Sequence, residues 1–165
     1  MKHSLQVLFL SLALAVIAQA LWQHDRLPAR VATHFNLAGQ ADGWMSRDNQ
    51  TKAHLGLVLF IAVMLEGLAR LSPRLPDGLV NLPHRDYWLA LERRAATHAW
   101  IAGLIRLIGC VLMIFFFALF HLVYRANLSS TPMLTAPAGL LVGGLLATIG
   151  LLLAGVFLRF ARPPA

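Results

Sequence analysis

Two ionisable side chains lie deepest in apolar sequence, Glu66 and Arg106. Charges at membrane depth are costly, so they are held in pairs or serve a proton or ion path. Glu66 also stands four residues before Arg70, the spacing of a pair on one helix face. Arg106 is long enough to snorkel towards headgroups. A Glu66–Arg106 pair between helices, a local Glu66–Arg70 pair and a relay within a carrier are thus all open. The structural uses are favoured, because no chain of further buried acids accompanies the pair.

The histidines offer a second kind of chemistry. His24, His34, His54 and His121 fall towards one side of the apolar runs, with Asp42 and Asp48 nearby in sequence. Those residue types bind zinc. None of the histidines has His-x-x-x-His or a similar ligand spacing, so no metal and no cofactor is expected. There is no Ser-His-Asp grouping, no phosphate-cradling glycine loop and no carboxylate pair at catalytic spacing. The reading therefore leans against an enzyme and assigns no catalytic residue. Cys110 is the single cysteine and sits in an apolar run, where it reads as an inert core thiol.

Whatever positions these groups is membrane-bound. Of the 165 residues, 58% are hydrophobic and 13% charged, with a mean hydropathy of +0.67. Soluble domains run nearer 45–50% apolar and about 25% charged. The formal charge of +7 would suggest nucleic acid in a soluble protein. Here the basic residues mark the ends of apolar runs, where they meet headgroups of the lipid bilayer, and no nucleic acid is expected.

Four apolar runs satisfy their own backbone in lipid only as helices. They cover about residues 5–22, 54–71, 99–124 and 136–160. The first has a rival reading as a signal peptide, since Met1-Lys2-His3 is a short basic start and Ala18-Gln19-Ala20 resembles a cleavage site. A retained span is favoured by its length. With the N-terminus inside, inner segments hold eight Lys and Arg and outer segments five. This bias favours both termini in the cytoplasm. On the fourth span Gly139, Gly143, Ala147, Gly150 and Ala154 recur on one face, which allows close helix approach. Packing within the chain is favoured there over a helix-mediated oligomer.

Two polar segments punctuate the spans. In the outer one, Val31, Thr33, Phe35 and Leu37 alternate, which predicts a short strand with these four on one side. Gly39 and Asp42-Gly43 are turn chemistry, and Trp44 is an interfacial anchor. Residues 125–135 form a short outer hairpin. In the inner segment, Asp86 is placed to cap a helix starting at Tyr87. Tyr87, Trp88 and Leu91 share a face and Arg93 and Arg94 can meet phosphates. That pattern predicts an amphipathic helix on the inner leaflet. The fold class is an all-α membrane protein: four transmembrane helices, a structured extracytoplasmic loop and a cytoplasmic amphipathic segment.

These two segments carry a family resemblance. Leu27-Pro28 followed by His34-Phe35-Asn36-x-x-Gly39-x-x-Asp42-Gly43-Trp44 resembles the signature of the bacterial membrane family called domain of unknown function 1648. The segment Asn81-Leu82-Pro83-x-x-Asp86-Tyr87-Trp88-Leu89-Ala90-x-Glu92-Arg93-Arg94 resembles its inner-loop motif, with Leu91 where relatives often have proline. The resemblance spans about residues 1–125, a three-span domain, and leaves the last span as a generic addition. It implies a bacterial inner-membrane protein without an established catalytic role. The same domain begins SdpI-type immunity proteins, which guard their producer against a membrane-active toxin and relay its presence to a repressor.

The function expected from all this is an SdpI-like accessory, sensor or protective protein. Its outer residues His34, Phe35, Asn36, Gly39, Asp42, Gly43 and Trp44 would recognise a membrane-active peptide or envelope component. Asn81, Pro83, Asp86, Tyr87, Trp88, Glu92 and Arg93 would form the inner motif. The alternative is a small transporter or ion-coupled carrier using Glu66 and Arg106.

Overall fold

The longest element organises the others. In the computed structural model, which describes residues 2–134 and 137–163, helix α4 runs Leu91–Asn127. Its 37 residues make about 55 Å at 1.5 Å per residue. A bilayer core is about 30 Å thick, so α4 reaches beyond it. Helices α1 (Lys2–His24) and α2 (Arg47–Leu71) pack against α4 and each other, and α5 (Pro137–Phe160) packs on α4. All four are long and apolar enough to cross a membrane. The expected start of the fourth span at Ala136, the end of the outer hairpin at residue 135, and Met1 lie outside the described residues.

Helices α1, α2 and α4 extend past the apolar runs expected for them, and at α2 a cap sets the start. Helix α2 begins at Arg47, seven residues before the expected span, where the Ser46 hydroxyl accepts from the Asn49 backbone N–H at 3.3 Å. Its end passes into a short 3₁₀ turn, Ser72–Arg74, which holds Pro73.

The core lies between three helices. Phe9, Ala13 and Val16 of α1 meet Val58 and Leu65 of α2 and Cys110, Met113 and Phe120 of α4. Gly109 permits the closest approach: a Cβ there would stand 2.6 Å from the Phe9 ring.

Helix α5 corrects the expectation for its small residues. Gly139, Gly143, Ala147, Gly150 and Ala154 are all exposed, and nothing lies within 4 Å of a Cβ added at Gly139, Gly143 or Gly150. The half-buried positions are Leu141, Leu145, Ile149, Leu152 and Val156, with Phe160 buried. This large-residue stripe also recurs every three or four residues, and it buries more surface against α4 than glycines would. The lone hydroxyl, Thr148, donates to its own helix at Gly144 O, 2.8 Å away.

Between α1 and α2 the chain forms an antiparallel hairpin, β1 (Arg30–Phe35) and β2 (Ala41–Ser46). The strict alternation expected of β1 does not hold. Val31 and Ala32 are both buried, and Leu37 is fully exposed beyond the strand. Val31 faces Leu27 and Tyr124 while Ala32, its peptide groups bonded to Asn127, is covered as well; the register then shifts on either side of His34, which pairs with Gly43.

The inner segment is not one amphipathic helix. Helix α3 is a single turn, Arg85–Trp88, separated from α4 by Leu89 and Ala90. Asp86 lies inside that turn rather than capping it. The N-cap is His84, in the left-handed region at φ 50°, with no side-chain cap bond. Leu91 is exposed while Trp88 turns inward, so the two do not share a face.

Candidate functional site

The hairpin is tied to the helix bundle by one polar side chain. Asn127, near the end of α4 and 4% exposed, accepts from Ala32 N at 2.7 Å. Its amide nitrogen donates to Ala32 O and to Val123 O, both at 2.9 Å. Both peptide groups of a buried strand residue are thus satisfied from another element, as burial requires. Leu27, Val31 and Tyr124 form the apolar cluster beneath. Arg47 adds a bond from its guanidinium to Leu27 O at 3.2 Å and one from its backbone N–H to Ala29 O at 3.0 Å.

Several signature residues of the hairpin set its geometry, exposed ones among them. The Asn36 side-chain oxygen accepts from Ala38 N at 2.9 Å and Gln40 N at 3.0 Å, closing the turn. Gly39 has φ +80°, which favours glycine, and its carbonyl accepts from Leu134 N at 2.8 Å. A Cβ on Gly39 would collide with the Leu134 carbonyl. One on Gly43 would stand 2.7 Å from the His34 Cβ. His34 Nδ1 and Asp42 lie 2.5 Å apart across the hairpin. Phe35 is half-buried, and Trp44 is exposed with the Arg30 guanidinium 5.3 Å from its ring centre. Leu37, Trp44, Met45 and Met133 are exposed there, among the exposed polar residues His34, Asn36, Gln40 and Asp42.

The intramembrane acid is fully engaged. Glu66 accepts from Arg106 Nε at 2.9 Å and Arg106 Nη2 at 3.0 Å, a bidentate pair. It also accepts from Arg70 Nε at 2.6 Å and from Gln6 Nε2 at 2.8 Å. The inter-helix and local alternations therefore coexist, and Gln6 brings in α1. Three helices meet at one carboxylate, an arrangement that braces them. Gln6 escaped the sequence reading because a single amide in an apolar run has no partner in view; it is 60 positions from Glu66.

The inner motif forms a folded cap. Trp88 Nε1 donates to Phe160 O at 3.1 Å, joining α3 to the end of α5. Thr97 Oγ1 donates to Trp88 O at 2.8 Å. Arg93 donates to Tyr87 O at 2.8 Å and covers the Tyr87 ring at 3.9 Å. Arg94 pairs with Asp77 at 2.9 Å. Asp86 has Arg85 Nε at 3.4 Å, Pro83 is half-buried, and Asn81 and Glu92 are exposed.

The histidines weighed as metal ligands disperse. His24 Nδ1 meets Thr51 Oγ1 at 3.0 Å, and its Nε2 is 3.6 Å from Asp48. His54 stacks on Phe120 with ring centres 3.6 Å apart, and His121 lies against Tyr124. Among the described residues no three His, Cys, Asp or Glu side chains are grouped to hold a metal ion.

Four membrane-length helices, three of them joined at a buried ion pair, define a multi-pass membrane protein. Residues 9–51 match the model of the domain of unknown function family DUF1648. The matched stretch runs from within α1, across the whole hairpin, into the start of α2, and it contains the His34-to-Trp44 signature. The inner motif at residues 81–94 lies outside it. No curated protein and no solved structure matches the chain.

Proposed function

We propose that this is a protein of the bacterial cytoplasmic membrane, with both termini in the cytoplasm, and that its hairpin is an extracytoplasmic recognition element. The class of ligand is a membrane-active peptide or an envelope component, and the role is that of a sensor or protective protein of the SdpI kind. One observation carries the reading. The hairpin is fastened to the bundle through buried Asn127, yet its rim leaves Leu37, Trp44, Met45 and Met133 exposed. A rigid platform with projecting apolar side chains loses little conformational entropy on binding an amphipathic partner. Such a platform also couples what it binds directly to α4. The domain boundary near residue 125 belongs to this proposal, since Asn127 marks where α4 and the hairpin join.

The carrier alternative draws less support. Glu66 already accepts from Gln6, Arg70 and Arg106, and it is the one carboxylate set deep in an apolar run. A small-face oligomer through Gly139, Gly143, Ala147 and Gly150 is compatible with the reading, as that face is open.

The test separates surface from scaffold. A deletion strain is challenged with membrane-active peptides and complemented with Leu37→Asp, Trp44→Ala. The double variant is expected to reach the membrane in normal amount and lose protection. Full protection by this variant would remove the hairpin rim from the function.

A further inference from the structure

At the end of the bundle opposite the hairpin lies a cavity of about 1000 Å³ between the ends of α1, α2 and α5 and the first turns of α4. Its size is at the upper end of the roughly 300–1,000 Å³ typical of small-molecule sites. Arg70, Arg94, Arg106 and Arg159 all line it. The carboxylates that pair with these four guanidiniums are Glu66, shared by Arg70 and Arg106, and Asp77, paired with Arg94. Two positive charges are left over. Arg159 has no carboxylate partner among the described residues; its guanidinium rests over the rings of Trp100 and Phe160 at 5.2 and 5.7 Å.

A second observation points to a ligand independently of charge. His98 lines the same cavity and is 2% exposed, yet neither ring nitrogen has a hydrogen-bond partner among the described residues. Buried polar groups are nearly always satisfied, and one that is not marks a place for a missing partner. The rest of the wall is apolar, including Leu5, Ala69, Leu104 and Leu107. Surplus guanidinium, an unsatisfied imidazole and an aliphatic wall call for an occupant with an anionic head and a hydrocarbon tail. Basic pockets between membrane helices take lipid headgroups in this way.

We propose that this groove binds one anionic phospholipid, with its phosphate among Arg159, Arg94 and His98 and an acyl chain along Leu5, Leu104 and Leu107. The phosphate would accept from the guanidiniums, which present paired donors suited to it, and from one His98 N–H once that buried ring turns towards the groove.

Delipidated full-length protein in detergent is titrated with phosphatidylglycerol, phosphatidylcholine and inorganic phosphate, and bound species are counted by native mass spectrometry. Phosphatidylglycerol should bind in preference to phosphatidylcholine. Arg159→Gln should weaken it roughly fivefold, the effect of one basic residue at an anionic lipid surface, while Arg159→Lys keeps most of the affinity. Arg94→Gln gives an independent reading if Arg159→Gln fails to fold, since it leaves only the half-exposed Asp77 unpaired. Arg125→Gln, at the opposite end of α4, should leave the preference unchanged. Equal retention of both lipids, or equal loss with Arg125→Gln, would overturn the proposal. Phosphate alone binding as tightly as phosphatidylglycerol would overturn it too, in favour of a free anion.

Discussion

Asn127 and His98 stand on the same helix, 4% and 2% exposed, and differ in what surrounds them. Asn127 uses both amide atoms, on Ala32 and Val123. His98 uses neither ring nitrogen within the described residues. Around Asn127 the chain turns, pairs and closes through backbone bonds at Ala29, Ala32 and Gly39. Around His98 it gathers more guanidinium than carboxylate. A buried polar group with all its partners specifies shape, whereas one with none leaves a valence open. The hairpin end of α4 is built to hold a form, and the groove end is built with room for something else.

That contrast can be broken most severely at Glu66. Glu66→Gln keeps the Gln6 contact but leaves Arg106, with a side chain 11% exposed, facing a neutral amide. Leaving one partner of a buried pair uncompensated costs about 3–5 kcal/mol. Thermal unfolding in detergent should show that loss, and Arg106→Gln on the same background should recover part of it. An unchanged melting temperature would mean that Glu66 does not brace the three helices.

A more local effect is expected at the hairpin end. Asn127→Leu strands both peptide groups of Ala32, at about 1–3 kcal/mol for each unsatisfied group. Amide hydrogen exchange should then rise over residues 30–46 while α1, α2 and α4 keep their protection. If the helices lose protection equally, the hairpin is not a separately fastened unit. Smallest of the three is Gly39→Ala. The left-handed backbone costs about 1–2 kcal/mol for a non-glycine residue, and the Leu134 carbonyl must also move away. Faster exchange confined to residues near 36–41 and 133–134 is expected. This change sharpens the comparison by loosening the tip without touching Asn127.

The small-residue stripe of α5 shows where sequence patterning misleads. Gly139, Gly143 and Gly150 and the neighbouring Leu141, Leu145, Ile149 and Leu152 both recur at helical spacing. Either face fits a partner helix, and only the position of α4 decided for the large residues. The signature motif carries information of a different kind. Asn36, Gly39 and Gly43 have the types of a recognition loop, but turn bonds, positive φ and close backbone contact account for them. The exposed rim residue Leu37 lies at one of the motif's unspecified positions.

From the sequence alone came the membrane class, four spans, a structured segment between the first two spans and the place of Glu66 and Arg106 within apolar runs. Hydropathy and turn chemistry are properties of neighbouring residues, so they can be read along the chain. Helix ends were legible only to within several residues, because caps such as Ser46 and linkers such as Leu89-Ala90 act outside the apolar runs. Only the tertiary structure brought Gln6 to Glu66, Asn127 to Ala32 and Arg159 to the cavity lined by His98. Those partners are 60 or more positions apart. Their meeting depends on how α1, the hairpin and α5 dock on α4, which no local pattern encodes.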